Sequence, residues 1–414
     1  MNNIRREKHV LLILSLFCLF TISTAILYGR AQVGTGSWRF TIQANDVYNP
    51  DRSISFSADN NYLVVGYEDK VYFFNKSNPT PLWTNTIEGW ANSIAVSENG
   101  SRIVVANDLE KIYLFKLNGS EIWQYEVPSA VSHLKVSISY DGKHIVAGGD
   151  NDILYLFNDT SSTPMRNYNI GADILALQIS ANSEYIALGA SDMKLYVFNR
   201  SSLEQLYNYS ATGLITDIAI SVNGTHIVMG SLDQTIYFFD TVTPTPLWMN
   251  ITNGFVQSVD ISDDGEYIVA NGGSKLYLFN QSSANPLWTY ETYNDVEDVA
   301  ISGDGNYIIL GMQDASLANK LMLFNDSSSI SNPSPIETIS QSEEIDEVDI
   351  TSNGDYFAVK LPHSITLYDR TDLTIPVPAP PPVIGFDIIP GFIFSILLVA
   401  FIYFKIKKSK LKSE

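Results

Sequence analysis

Two adjacent aspartates before a glycine, Asp263-Asp264-Gly265, are the residue types that open a calcium-binding loop. Such a loop needs a ladder of oxygen ligands ending in a bidentate acid, and none follows. Other candidates for chemistry are few. The histidines are His9, His133, His144, His226 and His363. His144 and His226 follow the same kind of turn at equivalent places, so a repeat spaces them and no cluster gathers them. The one cysteine, Cys18, lies in an apolar run near the N-terminus. The rest of the chain therefore has no disulfide and no catalytic thiol. HExxH, GxSxG and phosphate-loop patterns are absent. Serine is abundant, but spacing alone defines no His–Asp partner set. Catalytic, metal and cofactor residues are expected to be none, and the chain reads as a non-enzyme.

The elements around those aspartates explain them differently. Serine or threonine followed by a D/N-G-type turn and a β-branched run recurs at Ser57, Ser97, Ser139, Ser180, Ser221, Ser262, Ser302 and Thr351. The spacings are 40, 42, 41, 41, 41, 40 and 49 residues. In such turns glycine supplies a positive φ, and Asp or Asn bonds its own backbone. Asp263 and Asp264 are thus expected to shape a turn. Each period holds four short alternating runs bounded by Gly, Asn, Asp, Ser and Pro: one like DIAIS, one β-branched, one like KLYLFN and one like PLWTYE. These are four strands with period-two alternation. Four strands in about 40 residues is one blade of a β-propeller.

GSLDQTIYFFD (230–240) resembles the end of a WD40 repeat, with Phe239-Asp240 where that family has Trp-Asp. NGSEIWQYEV (118–127) resembles a repeat of the quinoprotein-like propellers. The resemblance covers about residues 37–370 and implies an all-β propeller fold. The Gly-His dipeptide and any Trp-Asp of WD40 are missing, so the resemblance implies little about partner surfaces.

Five tryptophans occupy one position of the period: Trp38, Trp83, Trp123, Trp248 and Trp288. Tyr207 fills the same place in another copy. Trp38 lies in SWRFTI, a fourth strand without a first three. The last copy lacks its fourth, because TDLTIPVPAPPP cannot make a good ladder. SWRFTI is expected to complete that blade and close a ring of eight blades, or of seven if the copy at Thr351 is not a blade. Closure removes exposed sheet edges.

Residues 1–30 carry basic residues and then an apolar run, the pattern of a signal peptide or signal anchor. Residues 371–387 form a Pro-rich linker, 388–404 an apolar run read as a transmembrane helix, and 405–414 a basic tail. Seventeen apolar residues are at the short limit for a span, where about 20 is usual. One apolar helix is expected at each terminus. Lysines mark the cytoplasmic side, so the propeller is expected outside the plasma membrane with the tail cytoplasmic. Pro390-Gly391-Phe392 at the start of that run resembles the PGF-type sorting signal of archaeal surface proteins.

Residues 31–382 keep 16 of the 25 basic and 42 of the 45 acidic residues, a net charge of −26. That charge argues against nucleic acid. Ten Asn-X-Ser/Thr sites are candidate glycan acceptors: Asn75, Asn99, Asn118, Asn158, Asn199, Asn208, Asn223, Asn250, Asn280 and Asn325. The same residues are good turn formers. Trp90 is the one tryptophan the repeat does not explain, and Leu214 and Phe255 occupy matching places seven residues before their turns. Acidic residues on that rim are Asp46, Asp295, Glu297, Glu343, Glu344 and Glu347. Apolar anchors in a charged rim suit an interface; packing at the channel mouth is the alternative. The expected partners are the membrane through the terminal helices, and a surface protein or glycan through the propeller face. The chain reads as a membrane-anchored, cell-surface binding scaffold. The alternatives are an exported cofactor-binding, quinoprotein-like enzyme and a purely structural envelope component.

Overall fold

A computed structural model describes residues 36–42, 53–128, 133–313, 319–325, 333–341 and 343–373. The terminal apolar runs, the Pro-rich linker, the basic tail and Asp46 lie outside the described residues. No described helix is long and apolar enough to cross a membrane.

The described residues form eight four-stranded antiparallel sheets. In seven of them the strands follow chain order, so each is an up-and-down meander. We number them blades 1 to 8: strands within residues 54–86, 91–126, 135–169, 174–210, 215–251, 259–291, 296–341, and 347–369 with 38–41. The ring has eight blades, not seven. Blade 8 takes its outer strand, Trp38–Thr41, from the start of the described chain, with Trp38 opposite Leu367 and Phe40 opposite Ile365.

Strand character follows position. The second and third strands of each blade are covered on both faces by neighbouring blades, so they read as continuous apolar runs such as Ile236-Tyr237-Phe238-Phe239. Outer strands alternate, as in Trp248-Met249-Asn250-Ile251, where half-buried and exposed residues take turns. The core has no single centre. It consists of eight clusters, each joining two neighbouring blades. The last joins Trp38, Ala358, Ile365 and Leu367 of blade 8 to Ile54, Leu63, Val65 and Phe74 of blade 1.

The repeated tryptophan adds a polar tie to this packing. The indole N–H donates to a carbonyl of the next blade from Trp38 (Lys76, 2.7 Å), Trp83 (Leu117, 2.8 Å) and Trp248 (Gln281, 2.9 Å). Tyr207 does the same work through its hydroxyl, which donates to the Asp240 carbonyl at 2.7 Å. The Trp123 indole is buried with no partner among the described residues. Trp123→Phe loses volume only, whereas Trp248→Phe loses volume and a bond. Urea titration is therefore expected to show Trp123→Phe less damaging by about 1 kcal/mol.

Candidate functional site

Alternate turns of a meander lie at opposite ends of its strands, so the ring has two unlike faces. One carries the repeated Ser/Thr turns and the turns before each outer strand; we call it the turn face. The other carries the turns between second and third strands and the loops between blades; we call it the loop face.

The turn face answers for the paired aspartates. The Ser262 hydroxyl donates to Asp264 Oδ1 at 2.7 Å and accepts the Tyr267 N–H at 3.0 Å. Asp264 Oδ1 also accepts the Glu266 N–H, and Gly265 sits at φ +77°. Ser139, Ser302 and Thr351 repeat this arrangement. Asp264 is a turn acceptor. Asp263 N–H donates to the Gly303 carbonyl of the next blade, and its carboxylate accepts the Ser352 hydroxyl at 2.7 Å. His144 and His226 follow these turns as repeat equivalents in blades 3 and 5. Burial holds both imidazoles below their usual range, and His226 stacks on Phe238.

Eight of the ten sequons belong to this face. Asn75, Asn158, Asn199, Asn280 and Asn325 end third strands, Asn118 lies in the same kind of turn, and Asn99 and Asn223 lie in the Ser turns. Asn208 and Asn250 lie on outer strands. At Asn75, Asn118, Asn158, Asn199 and Asn280, Oδ1 accepts both the N–H and the hydroxyl of the Ser or Thr two residues on. Asp369 makes the same pair of bonds with Thr371 at the end of the third strand of blade 8. Turn formation alone therefore accounts for an acceptor at that position.

The loop face holds the apolar residues that the sequence singled out; the turns before outer strands expose others, Leu82, Leu117, Val242, Leu247 and Ile336. Trp90, Leu214 and Phe255 are equivalent in space as well as in sequence. Their carbonyls accept N–H groups of Asp108, Leu232 and Gly273, each from the neighbouring turn of the same blade. Asp173 is the fourth member, bonded to Ser191 N–H. Trp90 is half-buried, and its N–H donates to Asp108 Oδ1 at 2.6 Å. Leu214 is 39% exposed and Phe255 55%. Sequence reasoning missed three neighbours: Met193, Leu232 and Tyr293, the last 86% exposed. With them, exposed apolar residues run along the loop face over blades 4, 5, 6 and 7. The same loops carry Asp173, Asp192, Asp233 and the exposed Asp295; Lys194 is already paired to Asp192 at 2.7 Å.

The acidic rim needs correction. Glu344 is exposed. Glu343 is engaged by Arg39 at 3.7 Å and by His363 at 3.3 Å. Glu297 is half-buried on the inner strand of blade 7. Glu347 is not on the rim. It lies on the inner strand of blade 8, and its Oε2 accepts the Ile54 N–H of blade 1 at 2.9 Å. The rim placement fails because an inner strand begins inside the ring, where its alternate side chains face the next blade.

Glu347 has companions that sequence reasoning did not single out. Asp217, Asp260, Asp298 and Asp349 lie on the inner strands of blades 5, 6, 7 and 8. All four make the same two bonds. Oδ1 accepts the N–H of the following residue, at 2.8 to 3.0 Å. Oδ2 accepts an inner-strand N–H of the next blade: Val259, Ile301, Val348 and Phe56, at 3.0, 2.9, 2.9 and 2.8 Å. These N–H groups face the channel, where no further strand can pair with them. The signal was in the sequence: acids recur two and four residues before the repeated turn in blades 5 to 8. Burial is the largest cause of the proton affinities that result. It pushes Asp217 up to about 7, Asp260 to about 8, Asp349 to about 7 and Glu347 to about 8, against the pull of the N–H donors. Among the described residues no group of three or more His, Cys, Asp or Glu is placed to hold a metal ion.

Residues 29–173 match the family profile described as outer membrane protein assembly factor BamB, and residues 203–240 match the WD domain, G-beta repeat. Neither spans half of the chain; what both share with it is the propeller repeat. No curated protein matches it. Among solved structures, one chain of "Crystal Structure of Mitotic Checkpoint Complex" is similar at TM-score 0.55 and 12% identity, over 80% of this chain and 94% of that one. Since 1927 chains share this shape, the likeness establishes the fold and leaves function to the site.

Proposed function

We propose that the protein is a non-enzymatic binding scaffold displayed outside the plasma membrane, and that it engages a partner protein through the loop face of blades 4 to 7. The observation that carries the reading is a run of exposed apolar side chains beside acidic loops on a face that holds few of the sequons. Met193, Leu214, Leu232, Phe255 and Tyr293 are exposed on one face, while most sequons lie on the other. Exposed aromatic and aliphatic groups in a charged surround are the composition of an interface centre. The acidic loops between them favour a partner with basic residues around an apolar patch. Glycans on Asn75, Asn118, Asn158, Asn199 and Asn280 would cover the turn face and leave the loop face bare. The profile match described as an assembly factor is in keeping with a propeller that works by holding other proteins. The apolar terminal runs supply export and anchoring.

The test is a photo-crosslinking residue at position 255 in living cells, with a control at position 264 on the turn face. One discrete adduct is expected from position 255 and none from 264. An anchoring aromatic contributes roughly 2 kcal/mol to an interface. Capture from position 255 should therefore fall at least about tenfold when Tyr293→Asp is added. Equal capture from both faces, or capture indifferent to Tyr293→Asp, overturns the reading. The quinoprotein-like alternative has its own signature: a bound chromophore copurifying with the exported domain.

A further inference from the structure

The ring closes its channel edge in two chemically different ways. At three seams the acceptor for the next blade's inner-strand N–H is neutral: Ser93 for Val136 (3.1 Å), Ser137 for Ile179 (3.2 Å) and Gln178 for Ile220 (3.2 Å). At the four seams from blade 5 round to blade 1 the acceptors are Asp217, Asp260, Asp298, and Asp349 with Glu347, at 2.8 to 3.0 Å. The neutral seams show that this bond needs no charge. Five carboxyl groups in half of one ring therefore add something the bond itself does not require, namely sites that exchange protons.

We infer that Asp217, Asp260, Asp298, Asp349 and Glu347 form a proton-held clasp on the blade 5 to blade 1 half of the ring, tight when protons are bound and loosened when they are lost. A protonated carboxyl still accepts an amide N–H through its carbonyl oxygen, and its O–H is free to donate. Each blade-to-blade tie thus survives protonation. Full ionisation sets like charges against one another around the channel wall, where the half-buried carboxyls are only partly screened by water. The groups facing the clasp do not relieve this. Asp298 raises Asp217, Glu347 and Asp349, and Asp349 and Asp217 raise Asp260. The opposing cations are Lys135, near Asp217, and the buried Lys360, across the strand pair from Glu347. Toward the turn face stand Tyr140, Asp263 and Glu98. Tyr140 is held protonated by burial and by Asp263, Glu98, Asp260 and Asp349.

The sign follows from linkage. An unfolded carboxyl titrates near about 4, and Asp217, Asp260, Asp349 and Glu347 in the folded ring titrate near 7 to 8. Between those limits the folded ring binds more protons than the unfolded chain, so its stability falls as pH rises. A module displayed outside a membrane would thereby be tighter in acid and looser in alkali.

The test is urea denaturation of the full chain at about pH 5.5 and about pH 8.5, in wild type and in a variant with Asp217→Asn, Asp260→Asn and Asp349→Asn. Asparagine keeps one of the two acceptor oxygens, enough for the tie to the next blade, and cannot ionise. The wild-type midpoint is expected to be higher at the lower pH, and the variant is expected to lose most of that difference. A wild-type midpoint independent of pH, or a difference retained in full by the variant, overturns the clasp. Should the variant not fold, the infrared carbonyl band of protonated carboxyls in the wild type at neutral pH decides. Its presence, with loss at about pH 9, supports the clasp; its absence overturns it.

Discussion

Trp38→Ala is expected to lower the stability of the ring by about 3–5 kcal/mol, the usual range for deleting a buried large aromatic. Three losses coincide at this side chain. It is 6% exposed and packs against Phe74 with ring centroids 5.0 Å apart. Its indole N–H ties blade 8 to the Lys76 carbonyl of blade 1. It also opens the strand that completes blade 8, opposite Leu367. The same substitution at Trp248 removes an equivalent bond, but that indole is only half-buried and its strand lies inside a continuous meander. Trp248→Ala is therefore expected to cost less. Urea midpoints of the two variants, measured side by side at one pH, check this. Equal losses would mean that the closing seam is no more vulnerable than any other.

Gly189→Val is the second large effect, expected at about 1–3 kcal/mol, the cost of overpacking a filled core. Gly189 lies near the end of the second strand of blade 4. A Cβ there would lie 2.8 Å from Cβ of Ile215 and closer still to its Cγ2, both on the inner strand of blade 5. Gly148 meets Ile174 in the same way at 2.5 Å, Gly230 meets Val256 at 2.7 Å and Gly311 meets Ile345 at 2.5 Å. None of these four glycines has a positive φ, so the requirement is space and not backbone freedom. Blade 6 solves the same problem differently. Asn271 stands at that position, and its side chain bonds Gln257 N–H, Ser258 N–H and the Val296 carbonyl. Gly189→Asn lacks those partners and is expected to destabilise as well. Thermal unfolding of both variants tests the point. An unchanged midpoint in Gly189→Val would mean that blade 5 can move outward without loss.

The two effects share a cause. Each cluster of the core belongs to two blades at once, so a defect in one blade acts on the seam beside it. The clasp lies on the inner edge of the same seams. Loss of protons there and loss of packing at Trp38 would weaken the blade 8 to blade 1 junction together, through Glu347, Asp349 and Trp38.

The blade count, the strand order and the closure by Trp38–Thr41 were legible in the sequence because each rests on local rules. Alternation of period two marks a strand, Ser-x-Asp/Asn-Gly marks a turn, and a period near 41 residues marks a blade. The same rules identified Tyr207 as a stand-in for tryptophan, and its hydroxyl does reach the next blade. They placed Trp90, Leu214 and Phe255 at one repeat position, and the shared carbonyl bond confirms that equivalence. Local rules do not say how a ring curves. Asp217, Asp260, Asp298 and Asp349 lie about one period apart along the chain, and only the closing of the ring sets them around one channel. For the same reason Glu347 reads as a rim residue beside Glu343 and Glu344 in the sequence, yet it is the first residue of the inner strand and already lies in the wall. Exposure of Leu214, Phe255 and Tyr293 was likewise decided by tertiary structure. An apolar side chain at a loop packs or projects according to what its neighbouring blades bring against it, and residues far apart in the chain supply those neighbours.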